Sequence, residues 1–127
     1  LVGSEMCIRD RIWDTYHRFL GQAERAGKIR RPIIPEGCGH NAHMYYLLLP
    51  DLGSRTRFIG ALKEGGIQSV FHYVPLHSAP FGLHAARASG DLSQTTELSE
   101  RLVRLPLWLG LEDVQPDVIQ KILTALE

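Results

Sequence analysis

The sequence predicts an α+β fold, a small layer of about three strands with helices packed on them. Three observations carry that prediction. Apolar residues recur at helical spacing near both ends of the chain and around Phe58. Short runs rich in aromatic and branched residues stand between those segments, at His43 to Leu49, Gln68 to Val74 and Leu105 to Leu109. Proline or glycine marks the junctions.

Ile12, Tyr16, Phe19, Leu20 and Ala23 share one helical face, and Gly27 supplies a left-handed stop after Ala26. Pro32, Pro35, Gly37 and Gly39 then keep the chain extended and irregular. His43 to Leu49 is apolar on both faces, as a central strand would be, and Pro50 ends it. Ser54 is placed to cap a helix carrying Phe58, Ile59 and Leu62, closed by Gly65 and Gly66. Gln68 to Val74 reads as a second strand with Val70, His72 and Val74 on one face and Phe71 and Tyr73 on the other. A long loop follows from Pro75 to Ser93, a length usually reserved for function or disorder. Helix resumes near Thr96 with Leu98, Leu102 and Val103, and the third strand is Leu105 to Leu109. Pro116 suits the first turn of a last helix whose buried stripe is Val118, Ile119, Ile122, Leu123 and Leu126.

At 127 residues the chain is one domain in length. Acidic and basic residues number 14 each, which removes an electrostatic case for nucleic acid or an anionic membrane surface as partner. The longest apolar run, Met44 to Leu49, is far short of the ~20 residues of a membrane-spanning helix. A cytoplasmic location is the expectation.

Residues 1–10, LVGSEMCIRD, have neither helical nor strand period. Back-translated, they resemble the transposase adapter ligated to DNA in shotgun sequencing, so they are expected to be translated adapter and not native, with a disordered natural N-terminus as the alternative. Residues 11–127 would then be the native domain. Cys7 falls in the adapter stretch, which leaves Cys38 alone and favours a reducing compartment.

Six histidines invite a search for chemistry. Cys38, His40 and His43 form a C-x-H-x-x-H pattern, but a structural zinc takes four ligands, and a loop leading into a strand is the better reading. His72 and Tyr73 lie at a strand end broken by Pro75, with His77 following, where ligand groups are commonly met. The same two residues could equally be core packing. Lys28, Lys63 and Lys121 sit on polar helix faces or helix ends, in no setting suited to a Schiff base, and no nucleophile stands at a telling spacing.

Four blocks in order, NAHMYYLLLPD, F-I-x-x-L-K-E-x-x-I, SVFHYVPLHSAPFG and TTELSERLVRLPLWLGL, resemble the C-terminal domain of the DegT family of sugar-nucleotide aminotransferases. The resemblance runs from Ile12 to Glu127. It implies a fold-type I, pyridoxal phosphate-dependent parent with a large cofactor-holding domain upstream and this small domain closing over the site. The implied reaction moves an amino group from L-glutamate to the 4-keto carbon of a dTDP-linked 6-deoxyhexose, in a homodimer. Carried over position by position, His72, Tyr73 and His77 would contact the substrate and His43 would be structural. The cofactor lysine would be absent from this chain, leaving it without a catalytic residue, inactive alone and with no tight hold on the cofactor. The stretch from Ala85 to Ser93 is shorter than the family pattern, which leaves its part in sugar specificity open. Apolar surface is expected around Trp13 and Phe19 and near His72. The alternative is a stand-alone module that binds a small ligand or metal without catalysis.

Overall fold

A helix once nucleated extends at little cost, because each added residue contributes one hydrogen bond for one pair of dihedrals. The computed structural model, which describes residues 2–127, shows that extension: α1 spans Val2–Phe19. Its core-bound part is Ile12, Trp13 and Tyr16, all buried, and residues 3–11 are exposed apart from the half-buried Ile8. The absence of period in residues 1–10 therefore did not prevent helix. Leu1 lies outside the described residues.

A turn at Leu20 separates α1 from α2 (Gly21–Arg25), and Gly27 at φ 72° ends the pair as expected. Strand β1 is Tyr45–Leu48, α3 is Leu52–Glu64, β2 is Val70–Phe71, α4 is Pro80–Ala85, α5 is Ser93–Arg101, β3 is Leu102–Leu105 and α6 is Gln115–Ala125. The sheet order is β1-β3-β2 with both pairings antiparallel, so β3 is the central strand and β1 an outer one. Arg30 covers the free side of β1 through paired bonds with Leu48, N to O 2.9 Å and O to N 3.0 Å.

Several boundaries correct the reading of the sequence. The third strand lies at Leu102–Leu105, where Val103 and Leu105 face the core and Leu102 and Arg104 face away; Pro106 has no N–H to continue the ladder. The second strand keeps two paired residues out of the seven expected. Helix α3 is capped by Asp51, which accepts from the Ser54 N–H at 2.7 Å, so Ser54 is a partner of the cap. The long loop contains α4, started by Pro80. Within it, a Cβ on Gly82 would sit 1.7 Å from the Leu76 carbonyl oxygen, so only glycine lets the two backbones meet.

The core fills one face of the sheet. Tyr45, Leu47, Val103 and Leu105 meet Tyr16 and Leu20, Phe58 and Leu62, and Val118, Ile119 and Ile122 of α6. Three polar ties fix the helices. The Tyr16 hydroxyl donates to the Pro106 carbonyl at 3.0 Å, Trp13 Nε1 to the Met44 carbonyl at 3.2 Å, and the buried Gln115 Nε2 to the Ile12 carbonyl at 2.8 Å. Trp13 is thus buried, contrary to the expected exposure, because it stacks on His17 and meets His40 and Tyr45 edges as well; Phe19 is exposed as expected. No helix among the described residues is long and apolar enough to cross a membrane.

Candidate functional site

The sheet face opposite the core opens a cleft of about 540 Å³ at the end of β2 and β3. Strand register builds it. Arg104 pairs with Tyr46 on one side and Val70 on the other, which puts its side chain on the outer face at the middle of the sheet. His72 follows Val70 by two residues and Tyr73 leaves the strand beside it, their rings edge to face at 4.8 Å. The guanidinium of Arg104 lies 5.8 Å from the Tyr73 ring centre, within cation–π reach. His43, Gln68 and Trp108 complete the polar and aromatic part of the wall.

Two of the four buried side-chain atoms without a partner among the described residues belong to this cleft's lining residues, the other two being Arg55 Nε and Ser69 Oγ. Those of the lining residues are His72 Nδ1 and Arg104 Nε, which have no hydrogen-bond partner among the described residues, although buried polar atoms are nearly always satisfied. Among the described residues no aspartate or glutamate lines the cleft.

The expected substrate residues divide between two places. His72 and Tyr73 share the cleft. His77 does not: its Nε2 lies 3.0 Å from the Thr96 hydroxyl, and it stands at the rim of a second, apolar hollow of about 740 Å³ lined by Pro75, Leu76, Phe81 and Leu83. The break at Pro75 and the turn into α4 carry it away. Helical spacing through Val103 and a third strand at Leu105–Leu109 give Arg104 and Trp108 no common face, whereas the strand at Leu102–Leu105 puts both on the cleft wall. The alternation L-V-R-L at 102–105, with one charge among apolar residues, was the signal available.

The three residues of the C-x-H-x-x-H pattern are engaged separately. His40 packs on Trp13 with its Nδ1 accepting from the Ala42 N–H at 3.3 Å, His43 Nδ1 meets Asn41 Oδ1 at 2.5 Å, and Cys38 is exposed. His43, expected to be structural, lies on the cleft wall and is exposed.

A covalently held aldehyde cofactor needs a lysine in the cleft. None lines it. Lys63 is exposed at the end of α3, Lys121 pairs with Asp117 at 2.8 Å, and Lys28 lies in a separate hollow with Pro50 and Arg57. These residues do not suit covalent attachment of pyridoxal phosphate, and no step through that group is assigned to them.

Solved structures share this fold. The aminotransferase TlmJ of Streptoalloteichus hindustanus superposes with a TM-score of 0.82 at 22% identity, over 98% of this chain and 32% of that one. An aminotransferase of Brucella abortus gives 0.77 at 28% identity, over 95% of this chain and 31% of its own. NtdA of Bacillus subtilis, solved with bound cofactor PMP, gives 0.80 at 18% identity, over 96% and 28%. This chain therefore spans about a third of the proteins it resembles. The sequence profile of the DegT/DnrJ/EryC1/StrS aminotransferases matches residues 3–126, nearly the whole length, and the chain belongs to that family.

Proposed function

We propose that this chain is the small domain of a pyridoxal phosphate-dependent sugar-nucleotide aminotransferase and forms the sugar-nucleotide side of its active-site cleft. The observation that carries the reading is the cleft itself, lined by His72 and Tyr73 at the end of β2, by Arg104 and Trp108, and by no lysine. The parent moves an amino group from L-glutamate to the 4-keto carbon of a dTDP-4-keto-6-deoxyhexose, a dTDP-4-amino-4,6-dideoxygalactose transaminase serving polysaccharide antigen synthesis in the cytoplasm as a homodimer. The cofactor supplies the electron sink. This chain's residues bind and orient: His72 offers an imidazole to the sugar, and Tyr73 covers it with a ring and a hydroxyl. His77 instead braces the turn into α4 through Thr96.

The test begins with sequencing across the 5′ junction upstream of Arg11, which also decides whether residues 1–10 are adapter. The full-length protein is then assayed with L-glutamate and the keto-sugar nucleotide, reading the amino sugar by mass spectrometry. His72→Ala in that protein is expected to raise KM for the sugar nucleotide about tenfold or more and leave the cofactor spectrum unchanged. Unchanged kinetics with every keto-sugar nucleotide tried would remove the assignment.

A further inference from the structure

We propose that the free edge of β2 pairs antiparallel with β2 of a second copy of this chain, joining the two sheets across a twofold axis. The interface is the backbone edge of the sheet, and it stands independently of the aminotransferase reading.

The ladder shows which backbone groups are free. Leu48 turns both of its groups to Arg30, and Leu49 donates to the Arg101 carbonyl at 3.0 Å, so Tyr45 and Leu47, in phase with Leu49, face β3. Their partners Leu105 and Val103 are thereby used on the β1 side, and Leu102 and Arg104 turn to β2. Val70, opposite Arg104, gives its N–H and carbonyl to that pair, whereas Phe71, opposite Val103, turns both outward. Among the described residues no strand lies beyond it.

The two edges of the sheet differ in protection. Strand β1 is buried along most of its length and has Arg30 across from Leu48, while Val70 and Phe71 are both exposed. Exposed edges usually carry a charge, a proline or a bulge that blocks pairing. Here no Asp, Glu, Lys or Arg occurs from Gly65 to Ala86, although 22% of the chain is charged, and the first proline after β2 is Pro75. Arg55 approaches the Phe71 ring at 5.3 Å but is tied to the Ser99 carbonyl at 2.9 Å.

These features select the occupant. A second copy brings the same uncharged edge of branched and aromatic residues, so the paired strands set no like charges against each other. With β1 occupied at Leu48, the edge of β2 finds its match in β2 itself, and such an isologous contact closes at two copies. Phe71 then exchanges its outward N–H and carbonyl with the opposing strand, the usual way in which an open edge gains a partner.

The test uses this chain. Sedimentation over a concentration series is expected to show monomer and dimer and nothing larger, and the Phe71 amide is expected to exchange more slowly with deuterium as the dimer forms. Phe71→Pro removes an outward N–H and leaves the pairing of Val70 with Arg104 in place, and it is expected to weaken the dimer about tenfold or more. Phe71→Lys, which puts a charge on the edge, is expected to act in the same direction. Leu76→Ser trims exposed apolar surface beyond Pro75 and is expected to leave the dimer standing. Unperturbed α6 amide resonances report that each variant is folded. A monomer throughout, assembly beyond the dimer, native association of both Phe71 variants, or loss of the dimer in Leu76→Ser alone would overturn the proposal. None of these outcomes touches the aminotransferase reading, which is judged by turnover of the full-length protein.

Discussion

Gly82 shows how much a single atom can decide. Its missing Cβ admits the Leu76 carbonyl, and Gly82→Ala would force backbone against backbone at 1.7 Å. The expected outcome is loss of α4 and of the His77 to Thr96 bond, seen as new amide exchange at residues 76–85 with the sheet unaffected. Gln115→Ala leaves the buried Ile12 carbonyl unpaired and is expected to cost about 1–3 kcal/mol in denaturant unfolding. Ile122→Ala, at 0% exposure on the core face of α6, is expected to cost about 2–5 kcal/mol. Residue-scale features of this kind were only partly legible. The buried stripe of α6 followed from spacing alone, since Val118, Ile119 and Ile122 repeat at helical period. Trp13 was misjudged because spacing cannot show that His40, far along the chain, returns to cover it.

At the scale of elements, the junction of α1, α2 and the sheet is sensitive to acid. His17 stacks on Trp13 at 4.7 Å and its Nδ1 lies 3.3 Å from the Tyr45 hydroxyl, while Arg31 donates to the His17 carbonyl and grips Glu24. Burial first, and then the Arg31 charge and His40, hold the His17 imidazole below its ordinary 6.5, against the pull of Glu24 and Asp14. Burial would raise Glu24, but hydrogen bonds from the Arg31 backbone and side chain outweigh it and hold the carboxyl below 4.5. Both groups are depressed in the fold, so both contributions are complete above the unfolded values and are lost as pH falls through the folded ones. The melting temperature is expected to decline from about pH 7 to about pH 5, and His17→Gln to flatten that decline. An unchanged slope in the variant would place the acid sensitivity elsewhere. Element types were largely readable in the sequence and their limits were not. The helix ending at Arg101 and the strand starting at Leu102 follow one another with no proline or glycine between them, and only the bonds of Arg101 and Leu49 mark the change of period.

At the scale of the whole molecule, one face of the sheet is closed by helices and the region beyond β2 is not. Tyr73, Val74, Leu76, Phe81 and Leu83 are all exposed, and Leu76 is 83% accessible. Contiguous apolar surface of that kind favours association. Sedimentation of this chain is expected to show mass rising with concentration, with binding of a hydrophobic dye; a clean monomer that binds no dye would mean the patch is covered. The sequence offers no lysine in a setting suited to a Schiff base, and none of the three lines the cleft beside β2 and β3. The division of His77 from His72 was not legible, since it depends on the turn at Pro75 and on Gly82. The central claim is that these residues shape a substrate cleft without holding the cofactor that does the chemistry. It is tested most directly by incubating this chain with pyridoxal phosphate, L-glutamate and a dTDP-4-keto-6-deoxyhexose and measuring amino sugar. The account expects none to form, and steady turnover by the chain alone would contradict it.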